Sequence, residues 1–386
     1  MAAPVEVTQL LLHAQDPDLQ VRSVAEAQLK QFQAENYTGF LTSLAAELSN
    51  AAKPADSRRL AGIVLKNTLD AKDEARKADL QARWGGVDPG IKGQLREALL
   101  GTLQLEPQEV RHTAAMVVAK VAAIDLPRQE WPSLINVLLT NMSAAAAPHG
   151  VRQATLEVLG YICEEMGSLE TEVLAPEQIN MILTAVVAGM RPEEPSPDVR
   201  LAATTALQNA IEFAELNMEN EQERNYLMQV WGAVGGVWCV VQGKESARRR
   251  GVWCVSAQPA TDALSRPHWH DACAPPPWTA CAPPPPPPPR PAPQMVCQAT
   301  TAGDERIRIA AFSCLHEIAA NYYAKLPAYI TEIFKISIKA IQEDSEDVGL
   351  QVGARVVCGV RAWCVCVGGR VAGAHAMCEL AGVCCW

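Results

Sequence analysis

Strand signals, long apolar runs and aromatic residues are all scarce in this chain. Alternation of apolar and polar residues at period two is nearly absent, which argues against a fold built on sheets. No uncharged apolar stretch reaches the roughly 18 residues of a membrane-spanning helix, and the C-terminal apolar tract is broken by Arg355, Arg361 and Arg370. The first residues lack a basic segment, and Glu6 and Asp16 bracket their short apolar run, so they do not read as a signal peptide. Enzyme signatures are missing as well: there is no phosphate-cradling Gly-rich loop, no H-E-x-x-H and no G-x-S-x-G. His112, His149 and His316 stand apart from any clustered acid and nucleophile, so neither catalysis nor a cofactor is expected. With aromatics at only 5%, a core must come from Ala, Leu and Val, the first two of which are strong helix formers.

The formal net charge of −10 excludes a general nucleic-acid binder, which needs a basic surface to neutralise phosphates. The charge is also unevenly spread. Residues 230–294 and 352–386 are net basic, and they hold 10 of the 13 Cys and 7 of the 9 Trp. Elsewhere the chain is strongly acidic, which favours a basic protein partner. Its three remaining thiols, Cys163, Cys297 and Cys314, sit among apolar helical residues, as in a reducing compartment.

Residues 8–229 carry apolar positions at three- and four-residue spacing, interrupted by Pro, Gly, Asp or Asn every 15–20 residues. That is the pattern of amphipathic helices joined by short turns. A motif with a β-branched residue, an Arg and then small apolar residues recurs, at Val21-Arg22, Val110-Arg111, Val151-Arg152, Val199-Arg200 and Ile307-Arg308. Ser57-Arg-Arg59-Leu-Ala-Gly is a related copy, with Arg59 as its repeat arginine. Most spacings fall near the period of about 40–47 residues of HEAT or armadillo helical hairpins. The interval from Arg59 to Arg111 is longer, and an extra helix from Asp73 to Trp84 accounts for it. The 108 residues between Arg200 and Arg308 return to the repeat period once 230–294 are set aside. The expected fold is therefore all-α, a HEAT-repeat solenoid wound as a right-handed superhelix and truncated after about six repeats. Residues 1–229 hold five repeats and the start of a sixth, and 295–351 complete the sixth and begin a seventh.

Residues 230–294 interrupt a helix that runs through Glu221–Gln229 and resumes at Met295. They contain seven consecutive prolines, Pro283 to Pro289, which are incompatible with helix and favour polyproline II. They are expected to be a disordered insert, and 352–386 an aberrant Cys-rich tail. Both segments begin with Val directly after Gln, at Gln229-Val230 and Gln351-Val352, a pair that CAG-GT, a splice donor, can encode. Both read as translated introns, which sequencing the transcript tests. His268, His270, Cys273 and Cys281 are metal-ligating types, but proline and alanine around them supply no scaffold, so no metal site is expected.

Several stretches go beyond the repeat pattern. They include Arg59-Leu-Ala-Gly-Ile-Val-Leu-Lys-Asn67-Thr-Leu, Gln81-Ala-Arg-Trp84, Glu130-Trp-Pro-Ser-Leu134, Gly189-Met-Arg-Pro-Glu-Glu-Pro195 and Val199-Arg-Leu-Ala-Ala-Thr-Thr-Ala-Leu207. They resemble the importin-beta (karyopherin-beta) family of nuclear import receptors through 1–229 and again through 295–351. The resemblance implies binding of Ran-GTP along the inner helices, with Lys66 and Asn67 on that surface. It also implies a Phe-Gly nucleoporin pocket between outer helices, with Leu183, Thr184 and Val187 facing Glu223, Tyr226 and Leu227. The family's later acidic loop and its arch around importin alpha have no counterpart in this sequence, so importin-alpha or cargo binding is not expected. Location in cytoplasm and nucleus, at the pore, follows from the resemblance. The competing reading is a HEAT scaffold or adaptor for another assembly; the motifs around Trp84 and Trp131 favour the transport receptor.

Overall fold

Nearly every punctuation point in the sequence starts a helix. Asp18, Asn36, Asp73, Asp88 and Ser196 each accept a backbone N–H of the first turn, at 2.7–3.4 Å. Prolines 89, 176 and 197 open their helices, where a missing N–H costs nothing. The computed structural model describes residues 6–143, 147–167, 174–219, 296, 299–326 and 329–344. The expectations for 230–294, 352–386, Cys297 and the His268–Cys281 set lie outside these residues.

The helices are α1 Val7–His13, α2 Leu19–Glu35, α3 Tyr37–Ser49, α4 Ala55–Asn67, α5 Glu74–Gly85, α6 Pro89–Thr102, α7 Gln108–Asp125, α8 Leu134–Ser143, α9 His149–Gly167, α10 Pro176–Met190, α11 Pro197–Ala210, α12 Glu215–Glu219, α13 Glu305–Tyr322 and α14 Ile330–Glu343. No strand occurs among the described residues. Five hairpins follow one another: α1/α2, α3/α4, α6/α7, α8/α9 and α10/α11. Helix α5 is the expected extra element, with Asp73 as its cap. The second helices α4, α7, α9, α11 and α13 pack side by side more closely than the first helices do. A layer with tighter spacing bends inward, so these second helices line the concave face.

Glycine permits that tight spacing. A Cβ on Gly160 of α9 would lie 2.9 Å from Ala206 Cα on α11, and one on Gly62 of α4 would lie 2.4 Å from Thr113 Cγ2 on α7. The core between the layers is Leu, Val and Ala, as the low aromatic content requires. Cys163 and Cys314 are buried in it. Burial pushes the Cys163 thiol up to about 12, and Cys314 is raised too, so neither is a nucleophile at neutral pH.

The repeat arginine has one fixed place: it is the fourth residue of the second helix. Arg22, Arg111, Arg152, Arg200 and Arg308 all stand there. In the second hairpin that place belongs to Arg58 and not to Arg59, which corrects the sequence assignment. Arg58 is only 2% exposed, whereas Arg59 points to solvent. Three of these arginines donate to a carbonyl six residues upstream, just past the preceding helix. The bonds are Arg22 to Asp16 (3.0 Å), Arg111 to Leu105 (3.2 Å) and Arg308 to Ala302 (2.8 Å). A cation is favourable there, because helix C-terminal carbonyls are partly negative and lack intrahelical partners. Others reach the next hairpin: Arg58 donates to the Glu106 carbonyl (2.8 Å), and Arg152 pairs with Glu194 (2.9 Å). At five of the six positions the arginine closes its own turn or links one repeat to the next. Arg308 does both, since it also pairs with Asp344 (2.7 Å). The buried Nε of Arg200 makes neither bond among the described residues.

Candidate partner-binding surfaces

The concave face carries a row of polar side chains that crosses from helix to helix. Lys66, half-buried, and Asn67, exposed, end α4, and neither side chain makes a hydrogen bond or ion pair with another described residue. Beyond them Lys120 of α7 bridges Asp70 (2.6 Å) and Glu165 of α9 (2.5 Å), tying three hairpins together. Burial opposes the Lys120 charge, but its hydrogen bonds to Asp70 and Glu165 outweigh that and hold its pKa above the ordinary lysine value. His112 of α7 meets Glu157 of α9 at 3.1 Å and lies edge-on to Tyr161, with ring centroids 6.0 Å apart. Burial, with the charges of Glu157 and Glu164, pushes the Tyr161 phenol up to about 12, so it stays neutral. Asn209 of α11 continues the row to the Gly160 carbonyl (3.3 Å) and Glu164 (3.4 Å). Glu157, Glu164 and Glu165 give this stretch an acidic character suited to a basic partner.

The His112–Glu157 pair predicts a pH dependence. The hydrogen bond to Glu157 raises the His112 pKa above 6.5 against partial burial. A raised folded-state pKa contributes stability that is fully present below the unfolded value and is lost as pH rises through the folded value. His112 is 45% exposed at its side chain, so screening limits the effect to about 0.2–1 kcal/mol. Denaturant melts of the wild type and His112→Gln should therefore diverge at about pH 5.5 and converge at about pH 8. A difference independent of pH would remove the pair as the cause.

On the outer face, Leu183 and Val187 of α10 are buried in the core. Thr184 is exposed and donates to the Asn180 carbonyl (2.7 Å). Met181, one turn earlier on the same helix face, is 39% exposed; the resemblance did not single it out, though its i−3 spacing from Thr184 marks it. Glu223, Tyr226 and Leu227 lie outside the described residues. A groove of about 500 Å³ lies between α6 and α8, with Leu100, Trp131 and Val137 on its apolar side and Arg96 and Glu97 on its rim.

Behind that groove is a buried polar cluster that the sequence reading missed. Asp125, fully buried, accepts from Trp84 Nε1 (2.8 Å) and from Arg96 Nε and Nη2 (3.0 and 2.6 Å). Lys92 donates to Glu130 (2.8 Å) and to the Gly85 carbonyl (3.3 Å). Its hydrogen bond holds the Glu130 carboxyl below the usual range. Gln129 turns the chain in the left-handed region, φ 57°, and Glu130 N donates to the Asp125 carbonyl (2.9 Å). The cluster fixes α5 on the α6/α7 hairpin through Trp84, and the Arg96 guanidinium also lies 5.4 Å from the centroid of the Trp131 ring. An acid inside the apolar run Val121-Ala-Ala-Ile-Asp125 was the available signal.

Comparison with known proteins adds the following. A family model described as the importin-beta N-terminal domain matches residues 25–104. Importin subunit beta-1 of Arabidopsis thaliana is 43% identical over 347 residues, covering 90% of this chain and 32% of that protein. The structure of yeast importin-beta, Kap95p, with RanGDP, whose switch loops it induces to adopt the GTP-bound conformation, has a TM-score of 0.67. It is 28% identical and covers 90% of this chain and 33% of its own. The Kap95:Nup1 complex gives 0.65 at 28% identity, with the same coverage. The chain spans about a third of the length of the curated relatives it matches.

Proposed function

We propose, for a chain that resembles importin subunit beta over nine-tenths of its length, a role in nuclear protein import in which its concave face binds the GTP form of Ran and its outer face binds Phe-Gly nucleoporins. Such a protein acts in cytoplasm and nucleus, at the pore. The observation that carries the reading is the concave row itself. Lys66 and Asn67 are unengaged at its start, and Glu157, Glu164 and Glu165 supply acids further along. Together they offer both signs of charge over several helices, which suits a large folded partner better than a small ligand. The structure of Kap95p with RanGDP supports the choice of partner, and the Kap95:Nup1 complex supports the nucleoporin half. On the outer face, exposed Met181 and Thr184 are the accessible part of the proposed Phe pocket, with Leu183 and Val187 buried beneath them; the resemblance assigns its other side to Glu223, Tyr226 and Leu227. A weak pocket of that kind gains its affinity from repetition of the ligand.

The test is calorimetry with Ran loaded with a non-hydrolysable GTP analogue or with GDP. The GTP form should bind more tightly, and added salt should weaken it, as expected for an interface steered by surface charge. Equal binding of both forms, or a preference for GDP, would refute the proposal.

A further inference from the structure

A basic groove of about 710 Å³ runs between α2 and α5, in a chain whose net charge is −10. Lys30 and Gln33 line it from α2. From α5 come Arg76, Asp79 and Arg83, spaced at three and four residues so that they share one helix face. The adjoining face of α5 is committed to the core through Trp84 and Leu80, the latter also flooring the groove, so the charged stripe is held at the surface. Asp79 is the one carboxylate among the lining residues, leaving three cations against one acid. Lys30 and Arg76 have no ion-pair partner among the described residues. Arg83 is held in place: its guanidinium lies 4.2 Å from the centroid of the Tyr37 ring, and Nη2 reaches the Gln33 carbonyl at 3.5 Å. Stacking of that kind fixes the plane of the fork while leaving its outer N–H donors available.

We infer that this groove is a docking site for a short acidic segment of another protein. Arginine forks recognise carboxylates in pairs, and two of them on one helix face set a direction for the bound chain. From Arg76 to Arg83 the helix rises about 10 Å, the length of about three residues of extended peptide. A segment with two or three Asp or Glu residues would satisfy Arg76, Arg83 and Lys30 and gain from the local excess of positive charge. A nucleic acid fits the site less well. A polyphosphate longer than the groove would extend over a chain whose net charge is −10, which repels it at longer range.

The test uses no Ran, so it is independent of the reading above. A fluorescein-labelled Asp/Glu hexapeptide is titrated with the full chain and followed by anisotropy, with its Asn/Gln counterpart as the control. Saturable binding that weakens with salt is expected for the acidic peptide only. The double reversal Lys30→Glu/Arg76→Glu, at exposed positions, should weaken it by roughly tenfold. Arg83→Gln, measured separately with a melting curve alongside, should weaken it while the chain stays folded, with only the small loss of melting temperature that removal of the Tyr37 stack entails. Arg191→Glu, the same charge change on another exposed arginine, should leave it unchanged. Equal binding of the Asn/Gln peptide, an unaffected double variant, or tighter binding of a single-stranded oligonucleotide of the same length would overturn the inference.

Discussion

Replacing Asp125 with alanine is expected to destabilise the array by about 3–5 kcal/mol, because it leaves a buried cation and a buried indole N–H without their acceptor. The carboxylate is fully buried and takes three bonds, from Trp84 and twice from Arg96. Arg96 is itself 14% exposed at its side chain, so water recovers part of its loss, and the lower half of that range is the better expectation. Asp125→Asn keeps an oxygen for Trp84 but loses the charge facing Arg96, and should fall between wild type and alanine. Urea melts of the three proteins, monitored by helix signal, check the order. A cost below about 1 kcal/mol for Asp125→Ala would mean that α5 is held by its apolar contacts alone.

The second large effect separates two adjacent arginines. Arg58→Ala should cost about 2–4 kcal/mol, since it strips donors from the Leu48 carbonyl (3.0 Å) and the Glu106 carbonyl (2.8 Å) and leaves the space of a long buried stem. Arg59→Ala should stay within about 0.5 kcal/mol, as an exposed side chain away from any such feature. The same melts distinguish them. Equal costs would return the repeat arginine to the assignment made from sequence.

That assignment shows where sequence reading reaches and where it stops. The helical hairpins, the extra helix α5 and the repeat period were all legible, because caps, prolines and the Val-Arg motif are local signals that each repeat carries in full. The one-residue slip at Arg58 arose from matching the motif to its apolar neighbours. Counting four residues from the helix start would have avoided it, but that start is itself fixed by Pro54 and the turn before it. The Trp84–Asp125–Arg96 cluster was not legible, since its members lie 12 to 41 positions apart and meet only when α5 closes onto the α6/α7 hairpin. The sequence marks Trp84 by its motif, while Asp125 carries no such mark. Lys66 and Asn67 came from resemblance and not from spacing: nothing in the local pattern distinguishes a lysine that binds from one that is merely solvated. The structure adds that they stand unengaged at the start of an inter-helix polar row.

The concave face is the centre of this account, and hydrogen exchange with and without GTP-loaded Ran tests it most directly. The account predicts slowed exchange at the end of α4 around Lys66 and Asn67 and along the exposed side of α7 and α9, with α6, α8 and α10 unchanged. Protection confined to α6, α8 and α10, or no protection anywhere under saturating Ran, would contradict it.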